Sequence, residues 1–349
     1  MEARKQFFFE KKNQKTFAPM EYAVRQRVDQ WIKVFASFSK KKRFLSSLAL
    51  ALSLTPSLAA AQCKISRAAS MPLTMKHGRA FVPVSINETE GQFQIDTGAG
   101  ETVLSDAFVR ATHVGIDRHA GQYYMAGAGG RETLPAFHVH ARHIEIGGIS
   151  FQDWEFAATD MHMGADGLLG RDFLHYFDLE LDMAAGRATL WRLFGCKDVQ
   201  PPWKGDYDTI PLKKIGSVGA LSLPIWIDNA FLNVMFDTGA GGLLLTQGAA
   251  ERAGASAAQL ASAQRVKGLG IGGGFETIPH KFGMLLVGSE VFNAPVIEVD
   301  PAATDADGAR QYGGADGIVG LDLIRADRVW ISFTTGNLFV QAPSKPRGK

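Results

Sequence analysis

The string Asp96-Thr97-Gly98-Ala99-Gly100 closes the apolar run Phe93-Gln94-Ile95. The same string, Asp237-Thr238-Gly239-Ala240-Gly241, closes a second run, Val234-Met235-Phe236. A duplicated signature constrains the fold more than composition does, because it demands two copies of one supersecondary unit. A further pair of matching segments follows: Ala165-Asp166-Gly167-Leu168-Leu169-Gly170-Arg171-Asp172, and Ala315-Asp316-Gly317-Ile318-Val319-Gly320-Leu321-Asp322. Asp96 lies 70 residues before Asp166 and Asp237 lies 79 before Asp316, so the second copy carries one modest insertion.

The intervening residues read as strands with short helices. Residues 80–86 and 221–227 alternate as strands, with turns expected at Gly91-Gln92 and Asp228-Asn229 ahead of the two aspartates. Short helices are expected at 106–112 and 247–253, with Gly115 and Gly254 as their stops. Each copy then reaches a glycine cluster, 123–130 and 266–274, followed by mid-repeat strands at 141–146 and 282–287. Each closes on a hairpin, 178–190 turning at Ala185-Gly186 and 328–340 turning at Thr335-Gly336. Residues 195–211, with Pro201-Pro202, read as a linker. The expectation is a mainly-β chain with short helices: a basic extension over 1–61, one lobe over 62–200 and a second over 201–349.

Charge narrows the partners. Residues 1–61 hold 12 Lys/Arg and 4 Asp/Glu, a net of +8, which leaves 25 basic and 31 acidic residues and a net of −6 for the rest. An acidic body argues against nucleic acid, which requires a basic face to displace counterions. Within the extension, Lys40-Lys41-Lys42-Arg43 precedes an apolar run over 44–58, and Ala59-Ala60-Ala61 follows. Positive, apolar, then small is the order of a secretory signal peptide, removed near Ala61. The run is short, holds Pro56, and makes a poor membrane span. Export to the periplasm or the exterior is therefore expected, with no stable membrane insertion of the mature chain. Two cysteines, Cys63 and Cys196, suggest one disulfide in an oxidising compartment; the alternative is two unrelated thiols.

On the two aspartate signatures and the Leu168-Leu169-Gly170 and Ile318-Val319-Gly320 segments, residues 75–342 resemble the pepsin/retropepsin superfamily of aspartic proteases. The Asp-Thr-Gly-Ala form and Gly170-Arg171-Asp172 look more like the retroviral-type branch, with both halves in one chain. The resemblance implies a bilobal acid-protease fold, two β-barrel-like lobes related by a pseudo-twofold axis, and a monomer. It implies that Asp96 and Asp237 form the catalytic pair, supported by Thr97, Gly98, Thr238 and Gly239. It also implies glycine-rich flaps, with Tyr123, Tyr124, Gly127, Gly129, Gly130, Gly270, Gly272 and Gly273 as candidate substrate contacts. No cofactor or metal is called for.

The residue types fit that chemistry. Two carboxylates a few ångströms apart cannot both ionise readily, so one keeps a proton while the other accepts one from an attacking water. The threonine hydroxyls can bond across the interface, and the glycines let backbone amides approach the carboxylates. Ala99 and Ala240, lacking a hydroxyl that would favour the ionised form, imply a dyad less acidic than that of pepsin-like enzymes with Ser there.

Competing motifs have ordinary readings. Gly268-x-Gly270-x-x-Gly273 matches a dinucleotide fingerprint in spacing, but the residues after it do not read as a helix. His138, His140 and His143 could hold a metal or could be surface histidines on a strand. Asp166 and Asp316 read as turn or support residues, and Arg171 as one partner of an ion pair with Asp172 or another carboxylate. The expected function is an aspartic endopeptidase taking an extended peptide; the alternative is a peptide-binding or assembly module without turnover.

Overall fold

The computed structural model describes residues 63–342, apart from 118, 120, 128–132, 162–163, 217–218, 271–272, 304–311 and 325. The basic extension and the signal-like run lie outside the described residues, as do Gly129, Gly130 and Gly272. Among the described residues no helix is long and apolar enough to cross a membrane.

Among the described residues the strands form three sheets, two of which repeat one arrangement. In the first, the strand Thr89–Ile95 delivers Asp96 and runs parallel to Gly167–Leu169, which is antiparallel to Val103–Ser105. Val103–Ser105 in turn runs parallel to the end of Ile149–Thr159. In the second, Ala230–Phe236 delivers Asp237, and Gly317–Val319, Leu243–Thr246 and Val296–Asp300 take the same places with the same polarities. The duplicated signatures are therefore duplicated loops at the ends of duplicated strands.

Local sequence explains the strands. In Arg79–Ile86, Ala80, Val82, Val84 and Ile86 enter the core, and in Ala220–Ile227, Leu221, Leu223, Ile225 and Ile227 do so. A two-residue period is what a sheet with one packed face selects. The helices Asp106–Thr112 and Gln247–Arg252 begin as expected, capped by the Ser105 and Thr246 hydroxyls, which accept from the Phe108 and Ala249 amides.

Several boundaries differ from expectation. The turn before the first aspartate falls at Asn87-Glu88, both with positive φ, and Gly91 lies within the strand. Asn tolerates that region well, and its carboxamide oxygen accepts from the amides of Arg142 and His143. The first helix is stopped by His113 (φ 51°), while Gly115 begins a two-residue strand. The mid-repeat strand spans Thr133–Ile146, longer than expected, and Ile149–Thr159 pairs back on it. A nine-residue strand, Lys64–Pro72, opens the described chain where no strand was expected.

That strand belongs to the third sheet, six strands drawn from both halves. Its order is Lys64–Pro72, Arg187–Phe194, Asp178–Asp182, Arg328–Ser332, Asn337–Gln341 and Asp208–Pro211. The two closing hairpins meet at its centre, where Leu179 faces Ile331 and Leu181 faces Val329. Alternation then divides the faces. Leu179, Leu181, Val329 and Ile331 enter the main core, whereas Asp178, Glu180, Asp182 and Trp330 point to the other side.

The linker covers that other side. Trp203 and Tyr207 pack with Trp330, Phe339 and Val199, and Trp191 stacks on Trp330 at 5.3 Å. The acids beneath are satisfied: Glu180 accepts from the indole N–H groups of Trp191 (2.7 Å) and Trp203 (2.9 Å), and Asp178 from that of Trp330 (3.2 Å). Arg328 pairs with Asp182 and lies over the Trp203 ring. The proline-bearing segment is thus a packed cover and not a loose tether.

Cys63 and Cys196 form a disulfide, Cα–Cα 4.4 Å, that ties the residue before the edge strand Lys64–Pro72 to the second residue past its neighbour's end. With the cysteines 133 positions apart in sequence, reduction or the Cys63→Ser/Cys196→Ser pair should cost about 2–5 kcal/mol. The urea midpoint with and without reductant reads this; equal midpoints would show that the sheet edge holds without its covalent tie.

Candidate active site

The two dyad loops meet at the centre of the chain's packed body, and both aspartates are buried, Asp96 5% and Asp237 8% exposed. What holds the loops together is a reciprocal set of hydrogen bonds. The Thr97 hydroxyl donates to the Phe236 carbonyl (2.9 Å) and accepts from the Thr238 amide (3.0 Å). The Thr238 hydroxyl donates to the Ile95 carbonyl (2.8 Å) and accepts from the Thr97 amide (3.0 Å). Each buried hydroxyl is therefore used as both donor and acceptor.

The carboxylates are held by backbone amides. Ala99 N–H donates to Asp96 Oδ1 (2.7 Å); Gly239 N–H (2.7 Å) and Gly98 N–H (3.2 Å) donate to Asp237 Oδ1. A Cβ on Gly98 would collide with the Asp237 carboxylate, and one on Gly239 with that of Asp96. Glycine is thus required at both places by close approach. Each carboxyl thus lies against the glycine of the opposite loop. Burial first, and the neighbouring Asp237 charge second, hold Asp96 well above the usual carboxylate range, against the amides of Ala99 and Gly98.

The second signatures support these loops from behind. Asp166 accepts from Gln92 N–H (2.8 Å) and Asp316 from Asn233 N–H (2.7 Å), each tying its segment to the strand that delivers the aspartate. Gly170 packs against the Glu101 backbone and Gly320 against that of Ala240.

Arg171 is the main departure from expectation. It does not pair with Asp172; its Nη1 donates to the carbonyls of Thr97 (2.5 Å) and Gly98 (2.7 Å), inside the Asp96 loop. Asp172 instead accepts from the Thr102 hydroxyl (2.7 Å) and the Phe173 amide (2.8 Å), and burial raises its pKa despite them. The other polar contact that sequence reading missed is Gln94, whose Nε2 donates to the Gly239 carbonyl of the opposite loop (3.1 Å). A polar residue one place before the end of an apolar strand, where the other copy has Met235, was the available signal.

Each half carries a glycine-bearing hairpin at the expected place. Gln122–Ala126 pairs with the start of Thr133–Ile146 and leads to Gly127; Val266–Gly270 pairs with Gly273–Lys281, with Gly270 opposite Gly273. The described glycines of the formal dinucleotide motif therefore lie on two paired strands, Gly268 and Gly270 on one and Gly273 on the other. Tyr123 and Tyr124 point to opposite sides. Tyr124 is 66% exposed, while Tyr123 packs with Val103, Ala157, Met161 and Leu168 and donates to Glu101 Oε2 (3.1 Å), just past the dyad loop. Burial and the Glu101 carboxylate keep its phenol protonated. His138 stacks on Tyr123 (4.7 Å) and pairs through Nδ1 with Glu155 (2.9 Å). Among the described residues no group of His, Cys, Asp and Glu is placed to hold a metal.

Residues 82–176, which hold the first dyad loop and the Leu168-Leu169-Gly170-Arg171 segment, match the family model for gag-polyprotein putative aspartyl protease. Over those residues the chain is similar to that aspartyl protease family. The described residues fold mainly as strands with a few short helices, one strand arrangement occurring twice. Among solved structures, the aspartic proteinase from Irpex lacteus is similar at 13% identity and a TM-score of 0.46, over 80% of this chain and 98% of that one. No curated protein matches the chain.

Two predictions follow from the geometry. Thr97→Val leaves the Thr238 amide without its acceptor and the Phe236 carbonyl without its donor, so it should destabilise the protein by about 2–4 kcal/mol. A denaturation midpoint within error of wild type would refute this. Asp96→Asn removes a carboxyl whose folded pKa is raised. That carboxyl favours the fold at low pH and loses this contribution as pH rises through its folded pKa. The variant should therefore unfold at higher temperature than wild type at pH 7, the gap closing as pH falls below about 4, where both folded and unfolded carboxyls are protonated. Melting curves across that range decide it.

Proposed function

We propose that the protein is a single-chain aspartic endopeptidase, with Asp96 and Asp237 as its catalytic dyad. The observation that carries this reading is the pair of buried carboxyls, one at the end of each repeated strand, held by amides from both loops. Such a pair retains one proton over a wide pH range. The ionised member takes a proton from a water as its oxygen attacks the peptide carbonyl; the protonated member donates to the developing oxyanion, and proton return to the amine releases the product. All of this is proton transfer among water, peptide and two carboxyls.

The substrate is an extended peptide lying between the lobes and contacted by strand-like backbone bonds. The two glycine-bearing hairpins, with exposed Tyr124 on the first, are placed by analogy of position to close over it. The chain works as a monomer, since both halves of the dyad are in one polypeptide. It acts in the periplasm or outside the cell, which agrees with the signal-like N-terminal run and with a disulfide at Cys63.

Asp96→Asn and Asp237→Asn should each reduce cleavage of a diverse peptide library by at least a thousandfold while the protein stays folded; retained cleavage by either would exclude the dyad. The wild-type optimum should lie between mildly acidic and neutral pH, because neither Ala99 nor Ala240 offers a hydroxyl to the ionised carboxyl. Ala99→Ser with Ala240→Ser should move the acid limb of the kcat/KM profile downward. No cleavage of any library member between about pH 3 and 8, a span bracketing the dyad's titration, would overturn the enzymatic reading.

A further inference from the structure

The dyad's two loops match in sequence but differ in what stands behind them. We propose that Arg171 is a positioning residue for the dyad: its guanidinium pins the carbonyls of Thr97 and Gly98 and fixes a positive charge beside the Asp96 loop, a clamp that the Asp237 loop lacks. The corresponding residue of the second copy is Leu321, which has neither charge nor donor. This deepens the protease reading and, for its kinetic part, rests on it.

Geometry carries the assignment. Arg171 is 5% exposed, and its Nη1 reaches both carbonyls while its own amide donates to the Ala99 carbonyl (3.0 Å). Three consecutive carbonyls of the Asp96 loop are thus bound by one residue. Its Nε is buried with no hydrogen-bond partner. Burying a guanidinium without a directly paired carboxylate is costly, and a neutral donor could hold a carbonyl at lower cost. The charge itself is therefore what the site retains. The charged groups that act on Arg171 are Asp96, Asp237 and Asp172, and Glu101 acts in turn on Asp172. His175 approaches only the Arg171 carbonyl, through Nδ1.

The consequence is electrostatic. A cation near two carboxyls that share a proton favours loss of that proton, opposing the burial that raises Asp96. Removing the charge should move the dyad's titration to higher pH. Keeping the charge but losing the two-carbonyl grip should spare the titration and loosen the loop. A residue that merely filled space would do neither.

The dyad's titration can be read without turnover, from the pH dependence of unfolding free energy in each background compared with the same background carrying Asp96→Asn. Arg171→Met should raise the dyad's apparent pKa by about one unit or more, while Arg171→Lys leaves it near wild type. Where peptide cleavage is measured, Arg171→Lys should lower kcat about tenfold at a KM near wild type, and the acid limb of Arg171→Met should move up with its titration. A folded Arg171→Met that titrates as wild type overturns the proposal. Should Arg171→Met not fold, Gly100 provides the second arm. This glycine is exposed, and a Cβ built on it lies 3.7 Å from Arg171 Nη2 with no other atom in reach. Gly100→Asp would then neutralise the guanidinium in place and should raise the dyad's titration, whereas Gly100→Asn should not. Equal titration of the two overturns the proposal. Absence of cleavage alone rejects the protease reading and leaves the titration result standing.

Discussion

Everything at the centre of this molecule depends on two threonine hydroxyls. Each is buried, and each has one donor and one acceptor role filled by backbone of the opposite copy. A hydroxyl so placed cannot shift without leaving an amide and a carbonyl of the other half unpaired in a site that water does not reach. Rigidity of the loops follows, and with it the separation of the two carboxyls. The amides of Gly98 and Gly239 can approach the aspartates only because the threonines hold the backbones there and neither glycine has a Cβ to collide. The raised pKa of Asp96 is then a product of position: a carboxyl pressed against another and withdrawn from water keeps its proton.

The symmetry of that arrangement is only as deep as the backbone. Two polar contacts that hold carbonyls of the loops from the side come from the first copy, while the second contributes Asp322, which accepts from the Gly242 amide. Gln94 holds the Gly239 carbonyl and Arg171 holds those of Thr97 and Gly98, while the second copy has Met235 and Leu321 at those places. A dimer of identical chains would have to duplicate both contacts. Joining the halves in one polypeptide frees each position to change separately, so one buried cation serves where two would repel and cost twice the desolvation.

What could be read from the sequence was what repeats. The dyad loops, the strands that deliver them, both closing hairpins and both short helices were legible because each appears twice with the same hydrophobic period. What could not be read occurs once. Trp203 packs on Trp330 across a sheet made from both ends of the chain, so its partner is remote in sequence and nothing local marks it. The edge strand Lys64–Pro72 alternates weakly and is fixed by pairing with Arg187–Phe194 and by the disulfide. Arg171 looked like half of an ion pair because a carboxylate follows it. Its side chain instead turns toward carbonyls brought alongside by the Leu168-Leu169-Gly170 strand, and adjacency in sequence said nothing of that. The longer spacing in the second copy was legible as an insertion. Its role was not: at its end Tyr312 is fully buried and donates to Asp300 (2.8 Å).

The six-stranded sheet shows how the single chain replaces association with folding. Asp178-Leu179-Glu180-Leu181-Asp182 has an acidic residue at every second position, a pattern that would leave a solvated face on an ordinary sheet. Here that face is covered, and the acids become acceptors for the indoles of Trp191, Trp203 and Trp330 and for Arg328. The cover is the connection between the halves, so the act of linking them also seals the sheet that joins them. Leu179 and Leu181, on the opposite face, meet Ile331 and Val329 in the core. The cover therefore packs on the same central strands that join the two halves.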